Sequence, residues 1–414
     1  MLSNPPDLTR FQKWHFLLWI AIGLYYFRFD NNGLVLYPHA ADCLLSGKPL
    51  LPCEPLFTYP PAFAFFMIPF ALMPTLLKNL LWYLLSVSVL YFSFRLCEYL
   101  TLKAFGIRFD TNRLYWFRLL SLALGLKFIL AVLENQAYDH LILFFILLAV
   151  YGLMEEKDLW AASGIALAAA LKVTPLLFFP YLLFRKKWKV FACGIMLYLF
   201  ISFLPDFFFT AGGTEGTYFG RWVQDIVQPA IMGRQGPSAS GFWQGENPLN
   251  QSLRSLVFRT AVLLDLASHF KTILYFVYTS VLLSLFLFIL KTSPLKNAPV
   301  LDGSALVIGM VMLSPMSSKS HFIVLLLPYM VILAYLMTRQ SQSRLLEGLL
   351  LLSFIFNSLT SKGIIGRRLS TALLLMGCIT IGTLLILLIV ALIAIEMTRS
   401  PERDLSILPE RLNP

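Results

Sequence analysis

Apolar residues gather along this chain in long runs separated by short polar clusters. A bilayer selects such runs, because about 20 apolar residues in a helix cross a hydrocarbon core of roughly 30 Å. Full crossings are predicted near residues 15–29, 79–97, 117–133, 138–153, 190–208, 271–290, 298–315, 321–338, 345–359 and 371–396. Two other runs are interrupted. Residues 60–76 contain Pro60, Pro61, Pro69 and Pro74, and the run 159–184 is broken at Lys172-Val173-Thr174-Pro175. Proline disfavours helix at the residue before it, so both runs are read as segments that enter the bilayer and return. Residues 254–270 place Arg254, Arg259, Asp265 and His269 among Leu, Val and Phe, the make-up of an amphipathic helix at the interface. The expected fold is all-α and polytopic, with about 10–12 transmembrane helices and re-entrant segments in one domain over residues 1–396, then a polar tail 397–414. No tandem repeat or heptad pattern is visible.

Charge orients these spans. Arg10 and Lys13 precede the first run, and the loop 30–59 that follows carries Asp30, Asp42 and Glu54 against Lys48. Lys/Arg enrichment marks cytoplasmic loops, so this loop is expected outside. The cluster Arg185, Lys186, Lys187 and Lys189 is the strongest inside signal. With Glu155 to Asp158 also inside, the run 159–184 has both ends on one side and must reverse near Lys172. The second outer loop is expected over 209–253. Both termini come out cytoplasmic. Lys362, Arg367 and Arg368 then fall outside, against the charge rule.

Composition agrees. Of 414 residues, 58% are apolar and 13% charged, too little polarity for a soluble domain to cover its surface. The net charge of +11 resides mainly in the short interhelical clusters, so it is not a nucleic-acid signature. Five cysteines show no zinc spacing, and Cys43 and Cys53 share the first outer loop, where an oxidising compartment lets them pair.

The expected topology brings the unusual polar residues to one side: the loop 30–59, Glu134 to Gln136, the Lys172 tip, the loop 209–253 and Ser314 to His321. An ionisable group within a membrane is costly and is a functional candidate by default, and Lys172 is the clearest. The alternative for Lys172 is snorkelling along lipid. For His321 it is an interfacial imidazole without chemistry, for Asn250 a helix cap, and for Asp30 a solvated boundary charge. Trp222 and Trp243 suit either a sugar face or an interface anchor. A carboxylate, cations and a membrane cavity together suit sugar transfer from a lipid phosphate: the acceptor hydroxyl needs a base, and the departing phosphate needs cations.

Four stretches resemble those of the polytopic C-type glycosyltransferases, above all glycosyltransferase family 87. They are Tyr37, Ala40, Ala41, Leu45, Gly47 and Pro49 with Tyr59-Pro60-Pro61 and Pro69; Asn135-Gln136 with Gly164, Leu167, Lys172 and Pro175; Asn250-Gln251-Ser252-Leu253 with Arg259; and Leu313-Ser314-Pro315 with His321 and Pro328. The resemblance implies an inverting transfer of a hexose, mannose first among them, from a polyprenyl-phosphate donor to a lipid-linked or cell-envelope glycan acceptor. It implies an extracytoplasmic site and no nucleotide sugar; no cofactor is expected, and no metal ligand is assigned. A first-loop Asp would be the base; Gly33 stands in its usual place, and Asp30 is the nearest upstream carboxylate. Ser318 and Ser320 stand where the family has Trp and a His. The expected site has Asp30 as base, Lys172, His321 and Arg259 on the donor phosphate, and Tyr37, Tyr59, Asn135, Gln136, Asn250 and Gln251 around substrate. The rival readings are an inactive binder or flippase of lipid-linked sugar, and a secondary transporter.

Overall fold

A computed structural model describes residues 32–210, 216–231, 243–339 and 343–399. The expected first span at 15–29, Asp30, and the tail beyond Arg399 lie outside the described residues.

Within them every regular element is helical. In hydrocarbon no water is present to satisfy backbone N–H and C=O groups, so apolar chain closes its hydrogen bonds within a helix. Five helices are long and apolar enough to cross a membrane: Thr75–Ala104, Thr111–Glu134, Ala267–Thr292, Lys319–Thr338 and Cys378–Arg399. Asp139–Met154, Asp158–Leu171, Trp188–Ser202 and Ala298–Leu313 are shorter apolar helices. Burial sorts these elements into shells. Ala298–Leu313 and Leu326–Thr338 are nearly covered and form the centre, whereas Thr75–Ala104 and Phe270–Thr292 show Leu84, Tyr91, Phe276 and Leu283 outward, as lipid-facing helices do.

Small residues set the tightest packing. A Cβ on Gly152 would lie 2.8 Å from the Cα of Ala161, and one on Gly164 2.7 Å from the Ala149 nitrogen. The helices Asp139–Met154 and Asp158–Leu171 thus touch backbone to backbone, the route by which glycine and alanine promote helix association without a hydrophobic driving force.

The chain does reverse at Lys172. The helix Asp158–Leu171 ends there, Lys172 is extended (φ −151°, ψ 131°), and a 3-10 turn Thr174–Leu177 leads into Phe178–Phe184. Gly194 of the next helix touches Phe179 and faces the Ala162 carbonyl, so the arms before and after the turn lie on one flank of that helix. Arg185 reaches Asp302 near the start of Ala298–Leu313, while Lys172 shares a pocket with Ser314 just past its end.

Three expectations change. The segments 30–59 and 209–253 are not plain loops. The first contains the helices Asn32–Leu45 and Leu50–Cys53 and is closed by a Cys43–Cys53 disulfide. The second contains helical chain from Tyr218 to Ile231. The span 371–396 is not continuous: Arg367–Leu375 stops, Gly377 turns at φ +74°, and Cys378–Arg399 begins. Hydropathy runs straight through that break because its residues stay apolar. The proline-rich run 60–76, expected to enter the bilayer and return, holds two short helices, Pro61–Phe66 and Ile68–Ala71, packed on Asn32–Leu45.

Candidate active site

Lys172 leaves the helical ladder at its turn, and its side chain enters the bundle. Its Nζ donates to Asp139 Oδ1 at 2.7 Å. Asp139 is the first residue of its helix, where the positive end of the helix dipole favours a carboxylate. His321 Nε2 lies 3.8 Å from the same oxygen, and Ser320, the residue before it, stands near that carboxylate. Both residues belong to the 3-10 turn Lys319–Leu325. Three distant parts of the sequence therefore converge on one carboxylate. It borders a small pocket, lined by Asp139, Lys172, Thr174, Ser314, Ser317 and His321 against an apolar wall of Ile142, Met310, Val311 and Val324.

An aromatic cluster closes one side. The Lys172 amine stands 5.9 Å from the centre of the Tyr138 ring, and Tyr138 donates its hydroxyl to the Leu171 carbonyl at 3.2 Å. Tyr138 stacks on Phe63 with centroids 4.1 Å apart, and Tyr37 and Tyr59 meet it edge-on at 5.6 and 5.1 Å. Burial, and then the nearby Asp139 charge, push the Tyr59 phenol well above its ordinary pKa; burial and the Tyr59 phenol do the same for Tyr37. Both stay neutral and serve as hydrogen-bonding hydroxyls, not as bases.

The other candidates have definite places. Asn135 and Gln136 form the turn between Thr111–Glu134 and Asp139–Met154, with Gln136 at φ +49°. The Asn135 carbonyl accepts from Gly33 N at 3.1 Å, and the Gln136 carbonyl from Trp82 Nε1 at 3.1 Å. A Cβ on Gly33 would collide with the Gln136 carbonyl and lie 2.9 Å from the Tyr37 ring, so no side chain fits at 33 unless this contact opens. Asn250 Oδ1 accepts from Ser252 N at 3.1 Å and Ser317 N at 3.2 Å, and its Nδ2 donates to the Pro315 carbonyl. Gln251 donates through Nε2 to the Pro248 and Leu374 carbonyls, both at 2.7 Å. The Asn250 amide fastens this segment to the Pro315–Ser317 stretch beside the pocket, and the Gln251 amide ties it to Leu374. Trp222 is also packed inward, donating from Nε1 to the Thr58 carbonyl at 3.1 Å.

The expected phosphate trio is divided. Lys172 and His321 share Asp139, while Arg259 donates from Nη1 to the carbonyls of Gly245, Asn247 and Asn250 at 3.1–3.2 Å. Burial pulls its pKa down to about 10, so it remains charged at neutral pH. Sequence reasoning missed Asp139. The signal was present, since an acidic residue followed by His140 opens an otherwise apolar run, which marks an intramembrane ionisable group. Ser317 and Ser320 offered no such signal.

The cluster is a polar centre inside apolar helices: a carboxylate, an amine, an imidazole and hydroxyls around empty space. It can orient hydroxyl-rich or anionic groups. No curated protein and no solved structure matches the chain. The model of glycosyltransferase family 87 matches residues 57–318, which include Tyr59, Asp139, Lys172 and Arg259. That is more than half of the sequence: the chain belongs to glycosyltransferase family 87 and is a membrane glycosyltransferase.

Proposed function

We propose that this glycosyltransferase moves a hexose, mannose first among the candidates, from a polyprenyl-phosphate donor to a lipid-linked or cell-envelope acceptor on the extracytoplasmic face, with inversion. The observation that carries this reading is the Asp139–Lys172–His321 convergence on a pocket that sits at the end of the re-entrant hairpin. In the reaction an acceptor oxygen attacks C1 of the sugar. The C1–O bond to phosphate breaks, and its electron pair leaves with the lipid phosphate. The hydroxyl proton passes to a carboxylate. Lys172 supplies positive charge, and Lys172 and His321 supply N–H groups, to the departing phosphate. Asp139 positions Lys172, and Asp30 is the base.

The close packing at Gly33 bears on the base. A carboxylate cannot project from that position, so the proton acceptor comes from elsewhere in the chain. The test is transfer from labelled polyprenyl-phosphate hexose by the purified full chain, compared with Asp30→Asn. Loss of turnover with donor binding retained supports the assignment. Equal turnover removes Asp30, and donor binding without any release of lipid phosphate by the wild type supports the inactive binder instead.

A further inference from the structure

A second group of cations lies at the same end of the bundle, away from Asp139. The helix Cys378–Arg399 begins in the interior, where Gly377 turns the chain against Leu256, whose Cδ1 would be 2.7 Å from an added Cβ. Cys378 and Thr380 are buried, and the Thr380 hydroxyl donates to the Gln251 carbonyl at 2.8 Å. The first N–H groups of a helix have no acceptor within it and carry the positive end of its dipole. Lys127, Lys319 and Arg259 gather near this terminus: Lys127 reaches Thr360, just after the Ile355–Leu359 turn that packs on Cys378–Arg399, and Arg259 donates to the carbonyl of Asn250, whose side chain accepts from Ser317 N two residues before Lys319. They come from three elements. Thr111–Glu134 packs along the Lys319–Leu325 turn, with the Phe128 and Phe322 rings 5.7 Å apart. Arg259 lies three residues beyond Leu256, which covers Gly377.

These cations are poorly neutralised. Lys127 sits seven residues before the end of its helix, about 10 Å into the span. Its amine donates to Thr360 Oγ1 at 3.0 Å. Among the described residues none of the three makes an ion pair, and the carboxylate that acts on Lys319 is Glu134. Lys127 and Lys319 repel each other, and Lys362 repels Lys319. Arg259 commits only Nη1; its Nε and Nη2 are buried without an acceptor. Mutually repelling charges and orphaned guanidinium N–H groups at a helix N-terminus are the parts of an oxyanion cradle lacking its anion.

We propose that Lys127, Lys319, Arg259 and the N-terminus of Cys378–Arg399 form a second binding site, for the phosphate ester of a lipid. A lipid phosphate suits it better than a free ion because Ile355, Met376 and Ile381 around it are exposed and apolar. It also accounts for the basic residues Lys362, Arg367 and Arg368, exposed beside it on the side where the charge rule disfavours them. The site is additional to the sugar-transfer reading and does not depend on it.

The test is lipid binding to the full chain in phosphatidylcholine nanodiscs, read by native mass spectrometry. One arm titrates a polyprenyl phosphate against the uncharged polyprenol. The other titrates phosphatidylglycerol against added phosphatidylcholine. Variants are Lys127→Gln, Lys319→Gln and their Arg counterparts, with Lys103→Gln, an exposed lysine paired to Glu155, as control. The expected result is phosphate-dependent binding in at least one arm, which names the source, weakened tenfold or more by either Gln substitution, kept by Arg and unaffected by Lys103→Gln. Equal binding of charged and uncharged lipids, or no loss in the Gln variants in either arm, overturns the proposal. Sugar transfer is measured separately: lysine-dependent binding without transfer leaves this site standing and removes the proposed reaction, and the converse result does the opposite.

Discussion

The bundle holds two ion pairs of nearly equal burial and different character. Lys172 and Asp139 are 13% and 4% exposed; Arg185 and Asp302 are 13% and 0% exposed. At the Arg185 end every feature closes the pair off. The guanidinium grips Asp302 through Nε at 2.8 Å and through Nη2, and also donates to Thr292 Oγ1 at 2.7 Å, whose hydroxyl donates to the other Asp302 oxygen at 2.5 Å. That network joins the hairpin to two neighbouring helices and engages both Asp302 oxygens. At the Lys172 end a single amine meets one carboxylate oxygen, an imidazole stands slightly too far away to bond it, and the group borders empty space. A buried pair in itself therefore says little about function. Unspent hydrogen-bonding capacity beside a cavity separates a site from a staple.

Replacing both partners at each end sharpens this contrast, since it avoids leaving a buried charge unpaired. Lys172→Gln with Asp139→Asn should lower sugar transfer by at least 100-fold while the thermal midpoint moves by only a few degrees, because two neutral amides retain a hydrogen bond. Arg185→Met with Asp302→Leu should leave transfer within about threefold and stability near the wild type. Removing Asp302 alone, as Asp302→Ala, should cost about 3–5 kcal/mol through the stranded guanidinium, seen as a sharp fall in thermal midpoint and yield. If the double change at Arg185 and Asp302 abolishes transfer in a folded protein, the distinction between the two ends fails.

Smaller effects test what holds the Lys172 end in shape. Reduction of Cys43–Cys53, or its replacement by serines, opens a loop with a sequence separation of 10. Chain-entropy arguments put that at about 2–3 kcal/mol, measurable as a reductant-dependent shift in thermal midpoint. Gly33→Ala should destabilise by about 1–3 kcal/mol through the clash with the Gln136 carbonyl, and should reduce transfer in step with the displaced turn. The same change at exposed Gly348, where an added Cβ meets nothing within 4 Å, should have almost no effect on either readout.

Much of the fold could be read from the sequence, for a physical reason. Hydrocarbon enforces helix, and a run with charged clusters at both ends, broken by Lys172-Val173-Thr174-Pro175, reverses at Lys172. The break at Gly377 escaped because apolar length alone cannot report a turn whose backbone groups are satisfied by buried neighbours. The site was legible in outline through Lys172 and His321. A carboxylate was placed in the first loop, at Asp30, and Asp139 was not singled out. Residues Asn250 and Gln251 were recognisable as a motif, yet their amide nitrogens go to backbone carbonyls, a distinction that pattern cannot draw. Arg259 was grouped with Lys172 by residue type; the packing instead commits its Nη1 to the Gly245, Asn247 and Asn250 carbonyls.

The central claim is that the Asp139–Lys172–His321 cluster is where the sugar is transferred. Its most direct test is the rate of hexose release from labelled polyprenyl-phosphate hexose by purified chain carrying Lys172→Gln with Asp139→Asn, normalised to folded protein. The account predicts a rate at least 100-fold below wild type with an intact melting transition. A rate within twofold of wild type in a folded variant would contradict it.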